Sequence, residues 1–71
     1  MTGPVKRSVT IAGHRTSVSL EPVFWDLLSQ TATGENISIA ALIRRIDENR
    51  DTNLSSAIRT WLVAQLQARS G

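Results

Sequence analysis

A stretch of alternating residues near the N-terminus, followed by an abrupt change of period, constrains this chain more than any other feature. From Lys6 to Leu20 the sequence KRSVTIAGHRTSVSL is rich in Val, Ile, Thr and Ser and alternates apolar with polar, the signature of β structure. The alternation slips once. Val9 and Ile11 share one parity and Thr16, Val18 and Leu20 the other, with Ala12-Gly13-His14 between them. One straight strand would point the two groups to opposite faces, so a turn or bulge is expected at Gly13. Two arrangements satisfy this. In the first, Gly13-His14 is the loop of a tight hairpin, Gly first as a type II′ turn prefers, so that Ile11 faces Thr16 and Val9 faces Val18. In the second, Lys6 to Ile11 is a separate arm and only Arg15 to Leu20 is a core strand. Parity does not choose between them.

Beyond Leu20 the period becomes helical. Pro22 suits a first helical turn, where its missing N–H costs nothing. Phe24, Leu27, Leu28 and Thr31 follow at i, i+3, i+4 and i+7, with Trp25 and Ala32 widening the stripe. Gly34-Glu35-Asn36 is expected to stop this helix, because Gly and Asn tolerate the left-handed conformation. Ser38 is a natural N-cap for a second helix, whose inward residues are Ile39, Leu42, Ile43 and Ile46. Arg44, Arg45, Asp47 and Glu48 fall on its wet side. After the polar break Arg50-Asp51-Thr52, Asn53 caps a third helix over about residues 54–69, with Leu54, Ala57, Ile58, Trp61, Leu62 and Leu66 inward. Gln65, Gln67 and Arg69 remain outside. The order is β, then three helices: a mainly α chain with a short β element. Residues 1–7 are expected to form a flexible basic arm and residues 8–71 one domain.

A chain of 71 residues buries a small core, and such chains usually add a disulfide, a metal or a second subunit. With no Cys and one His, neither a disulfide nor a Cys/His metal site is available, which leaves a homodimer. The net charge of +2 is too small for a non-specific polycation, although gathered on one face of a dimer it supports DNA binding. No apolar run approaches a membrane span and no signal-peptide h-region precedes Arg15, so a cytoplasmic location is expected. There is no P-loop, no GxGxxG and no defensible triad or carboxylate pair, and no cofactor is implied, so the chain is not read as an enzyme. His14 reads as an exposed turn residue, and Trp25 and Trp61 as packing residues.

A lone strand before two helices leaves backbone groups unpaired, and two copies solve this by pairing their strands antiparallel about a two-fold axis. Val18 and Leu20 then face down onto interlocked helices, while Arg15, Ser17 and Ser19 face up on a ribbon that fits the major groove. The segment Arg15-Thr-Ser-Val-Ser-Leu20, the helix opening Glu21-Pro22, the Gly34/Asn36 turn and the Ser38 cap resemble the ribbon-helix-helix family. The flanks KRSVTIAGHRTS and NLSSAIR resemble a small bacterial subfamily of such domains.

That family consists of homodimeric DNA-binding proteins, commonly repressors and antitoxins. The resemblance therefore implies an intertwined dimer with an intermolecular ribbon that regulates transcription by binding operator DNA. It implies base contacts from Arg15, Ser17 and Ser19, and phosphate contacts from Lys6, Arg7 and the helix start at Ser38, Ile39 and Ala40. It also implies a dimer core of Val18, Leu20, Phe24, Leu28, Leu42, Ile43 and Ile46. Double-stranded DNA and a second copy are the expected partners. The third helix departs from the family's minimal domain, and three roles are open to it. It covers the core, docks a protein partner, or joins two dimers through Trp61 and Leu66. The rival reading is a dimeric protein-interaction module that does not read DNA. If residues 5–11 fold back as a hairpin, a dimeric sheet has four strands and is roughly 14 Å wide, broader than the major groove at about 12 Å.

Overall fold

The computed structural model describes residues 3–70; Met1, Thr2 and Gly71, assigned above to the arm and the domain end, lie outside them. The chain runs β1 (Val5–Ile11), β2 (His14–Leu20), α1 (Pro22–Gly34), α2 (Ile39–Glu48) and α3 (Leu54–Ser70). The two strands pair with each other, antiparallel, in one two-stranded sheet. This corrects the expectation that the strand ending at Leu20 finds no partner in its own chain. It also corrects the flexible arm, because Val5, Lys6 and Arg7 are the first residues of β1.

The hairpin loop is Ala12-Gly13, not Gly13-His14. Ala12 (φ 52°) and Gly13 (φ 83°) are both left-handed, as a type I′ turn requires, and Ile11 pairs with His14. The physical reason lies at the far end of the ladder. With this loop, Val5 pairs with Leu20 and every residue of both strands is matched. The expected register would have set Arg7 opposite Leu20 and left Val5 beyond the strand. Both loops preserve the faces, so Val5, Val9, Ile11, Thr16, Val18 and Leu20 share the inner side.

Helix boundaries follow local chemistry. Pro22 opens α1, and α1 stops where Asn36 takes a left-handed φ of 61°. There the N–H of Asn36 donates to Thr33 O and that of Ile37 to Ala32 O, a Schellman stop. The Ser38 hydroxyl accepts the Ala41 N–H (3.0 Å) and Asn53 Oδ1 accepts that of Ser56 (2.9 Å), so both expected caps are made.

All three helices pack beneath the inner face of the sheet. The core comprises Ile11, Val18, Leu20, Trp25, Leu28, Ala32, Leu42, Ile43, Ile46, Ala57, Ile58 and Leu62. On α1 the buried line is Trp25-Leu28-Ala32, so the stripe is rotated from the expected one and Phe24, Leu27 and Thr31 flank it, half-buried. Trp61 is half-buried and Leu66 is exposed. Six of the seven residues expected in a dimer core, Val18, Leu20, Leu28, Leu42, Ile43 and Ile46, are buried by their own chain; Phe24 is half-buried. Among the described residues no helix is long and apolar enough to cross a membrane.

Candidate nucleic-acid interface

The side of the hairpin turned away from the helices carries Lys6, Ser8 and Thr10 from β1 and Arg15, Ser17 and Ser19 from β2. Register makes them direct neighbours: Lys6 opposite Ser19, Ser8 opposite Ser17, Thr10 opposite Arg15. Five of the six are exposed and Ser19 is half-buried. The three residues expected to read bases are thus brought together on one face, and Lys6 joins them.

Arg7 does not. Its position opposite Val18 puts it on the inner parity at the flank of the sheet, where its guanidinium lies 4.9 Å from the centroid of the Trp25 ring. Trp25 is itself anchored by a hydrogen bond from its Nε1 to Val5 O (2.9 Å). Nor does the start of α2 lie on the outer face, since the helices pack on the opposite side. There Ser38 is exposed, and Ile39 and Ala40 are half-buried.

Electrostatics separate the sheet from the helices. The first twenty residues contain Lys6, Arg7 and Arg15 and no carboxylate, while all six acidic residues follow Leu20. The helical cations are largely spoken for. Arg45 pairs with Glu35 (2.7 Å), Arg44 with Glu48 (3.7 Å), Arg50 with Asp47, and Arg59 with Glu21 (2.9 Å). Among the described residues Lys6, Arg7 and Arg15 form no ion pair, so the uncompensated positive charge of the chain concentrates on its hairpin.

Two residues to which the sequence analysis gave no role beyond membership of the NLSSAIR flank hold this face in place. Ser55 Oγ of α3 accepts the Ser19 N–H (3.1 Å), and Arg59 Nη2 donates to Ser19 O (3.1 Å). Arg59 also donates to Glu21 Oε1 and lies 6.0 Å from the centroid of Phe24. The end of β2 is therefore clamped by α3 on its outer edge. Hydrogen bonding to its own backbone, then to Arg59, holds the Glu21 carboxyl below its ordinary range. No local pattern signals Ser55 or Arg59, since their partners lie 36 to 40 residues away in the chain. The missing carboxylates before Glu21, by contrast, were readable in the sequence.

The sequence profile of the ribbon-helix-helix domain family matches residues 4–66, which takes in the hairpin, both following helices and most of α3. The chain is a ribbon-helix-helix protein. No curated protein and no solved structure matches it. Ribbon-helix-helix domains are typically DNA-binding transcription regulators that form dimers. In this ribbon-helix-helix chain the strand preceding α1 is β2, which carries Arg15, Ser17 and Ser19 outward.

Proposed function

We propose that this protein is a sequence-specific DNA-binding transcription regulator of the repressor type, acting as a homodimer. The hairpin's outer face meets DNA. Arg15 gives paired hydrogen bonds to a guanine edge, and Ser17 and Ser19 donate or accept beside it, with weaker discrimination. Lys6, and Arg7 from the flank, supply phosphate contacts. The observation that carries this reading is the segregation of charge: the exposed sheet face is hydroxyl-rich and cationic, and its strands contain no carboxylate. A symmetric operator would seat the two copies of a dimer on two half-sites.

Selection from random duplex DNA at moderate salt tests the reading. A recurring palindromic or repeated sequence is expected, bound more weakly by Arg15→Ala with fold retained. Salt-sensitive retention with no consensus would refute it. A second reading, a module that docks a protein through α3, draws on the 43% and 42% exposure of Val63 and Leu66. Undiminished DNA selection by a Val63→Ser/Leu66→Ser variant would leave that reading without support.

A further inference from the structure

Between the end of α2 and the first turns of α3 lies a cavity of about 340 Å³, within the range of about 300–1,000 Å³ that small-molecule sites occupy. None of its lining residues belongs to the hairpin. Its apolar wall is Ile46 of α2 with Ala57 and Trp61 of α3. Ile46 and Ala57 are buried, while Trp61 packs on the core and stays half-buried, which leaves part of the indole open. Arg45, Arg50 and Asp51 supply the charge around it.

The two tryptophans differ in what already engages them. Trp25 donates its Nε1 hydrogen to Val5 O and carries the Arg7 guanidinium near its ring. Among the described residues Trp61 has neither a hydrogen bond from its indole nor a cation on its face. The carboxylates divide in the same way. Glu21, Glu35, Asp47 and Glu48 each pair with an arginine, whereas Asp26 and Asp51 form no ion pair among the described residues. Asp26 is exposed on α1, but Asp51 lines the same cavity as Trp61.

We infer that this cavity binds a small organic cation, an ammonium on a short apolar body, with the Trp61 ring and the Asp51 carboxylate as its recognition pair. Arg45 and Arg50 do not oppose a cation, because each is neutralised, Arg45 by Glu35 at 2.7 Å and Arg50 by Asp47. Arg50 also donates from Nη1 to Thr52 O (2.9 Å), so its fork is spent on the α2–α3 connection. With both pairs closed, the charge left over at the cavity is that of Asp51.

An ammonium sheathed in methyl groups suits such a lining. Its charge answers the carboxylate and the negative face of the indole, and its methyl groups cover Ile46, Ala57 and Trp61. A bare metal cation gains nothing from the apolar wall, and an anion meets Asp51. Bound there, the ligand ties the end of α2 to α3, and occupancy stabilises the fold by mass action. The site shares no residue with the outer face of the hairpin and does not depend on what that face binds.

The test uses the full chain at constant ionic strength and follows the two indole N–H signals by heteronuclear NMR, assigned with Trp25→Phe. The probes are choline, its uncharged carbon isostere neohexanol, and benzoate as an anion. Choline is expected to shift the Trp61 signal saturably in the millimolar range, to leave the Trp25 signal in place and to raise the urea midpoint. Asp51→Asn changes an exposed side chain, so its circular dichroism should match wild type, and it should weaken choline binding about threefold or more. Trp61→Leu keeps an apolar group against the core and should weaken binding about fivefold, read from the Ala57 and Thr60 amide signals. Should Trp61→Leu fail to fold, Asp51→Asn decides alone. The inference is overturned if neohexanol shifts Trp61 as strongly as choline, or if benzoate binds more tightly. It is equally overturned if Asp51→Asn leaves the choline affinity unchanged, or if choline produces no saturable shift confined to Trp61.

Discussion

Ile58→Ala asks whether α3 belongs to the structural unit that carries the hairpin. Ile58 is fully buried, in one cluster with Val18 and Leu20 of β2 and Leu42 and Ile43 of α2. Stripping its side chain back to Cβ forfeits about 2–3 kcal/mol of apolar burial. The cavity left between sheet and helices raises the cost to about 3–4 kcal/mol, because neighbours packed on three sides relax only partly. A chain of 71 residues is expected to have about 4–10 kcal/mol in total, so this one change removes a large share. Urea unfolding followed by far-ultraviolet circular dichroism and tryptophan fluorescence should show a lower midpoint at unchanged slope. Trp25 lies against β1 and Trp61 sits on α3, so fluorescence of Trp25→Phe and Trp61→Phe variants reports each region separately. Coincident transitions are expected, since the two regions share one core. A loss below about 1 kcal/mol, or two separated transitions, would refute the reasoning and make α3 an appendage.

Ala12 holds a left-handed φ that costs an L-residue about 1–2 kcal/mol and that Asn tolerates, so Ala12→Asn should raise stability by about 0.5–1 kcal/mol; an unchanged or lower melting temperature would contradict the turn. The Glu21 carboxyl is held below its reference pKa of 4.5, so the stability it contributes is present above that value and lost as pH falls through its lowered folded pKa. Glu21→Gln should therefore flatten the acid limb of a urea-midpoint profile between neutral pH and about pH 3, and an unaltered limb would exclude the effect. Ser17 and Val18 are neighbours on opposite faces, so Val18→Asp should abolish folding by burying an unpaired charge, whereas Ser17→Asp should fold normally and lose DNA affinity. Circular dichroism and duplex binding distinguish the two, and a folded Val18→Asp variant would invalidate the face assignment.

What was legible in the sequence is what short-range chemistry decides. Pro22, Ser38 and Asn53 mark helix starts because each acts on N–H groups within a single turn, and Asn36 marks a stop for the same reason. The outer face of β2 was legible because strand side chains alternate whatever lies beneath them. The loop was misplaced by one residue because both candidate registers keep Val9, Ile11, Val18 and Leu20 on one side. Only the matching of Val5 to Leu20, at the opposite end of the ladder, distinguishes them. The stripe on α1 was rotated for a related reason: Trp25 and Phe24 are equally apolar, and the position of β1 above the helix decides which of them is buried. Ser55 and Arg59 left no local trace, because a hydroxyl and a guanidinium on a helix acquire their meaning from a strand end far away in the chain.

The same alternation separates stability from recognition. Val18 and Leu20 answer to the core, whereas Arg15 and Ser17 answer only to what lies outside, and a one-residue step along β2 passes from one constraint to the other. Ser19 is the exception, since its backbone is gripped by α3 while its side chain shares the outer face. The third helix therefore serves both the core and the edge of the sheet: Ile58 and Leu62 complete the core below, and Ser55 and Arg59 fix the end of the strand whose upper residues face DNA in the proposed reading. Arg59 reaches Glu21 at the threshold of α1, so one side chain ties the end of β2 and the start of α1 to α3. In the proposed reading, a face anchored this way would lose little conformational freedom on meeting a rigid duplex, and the ordering cost of binding would fall accordingly.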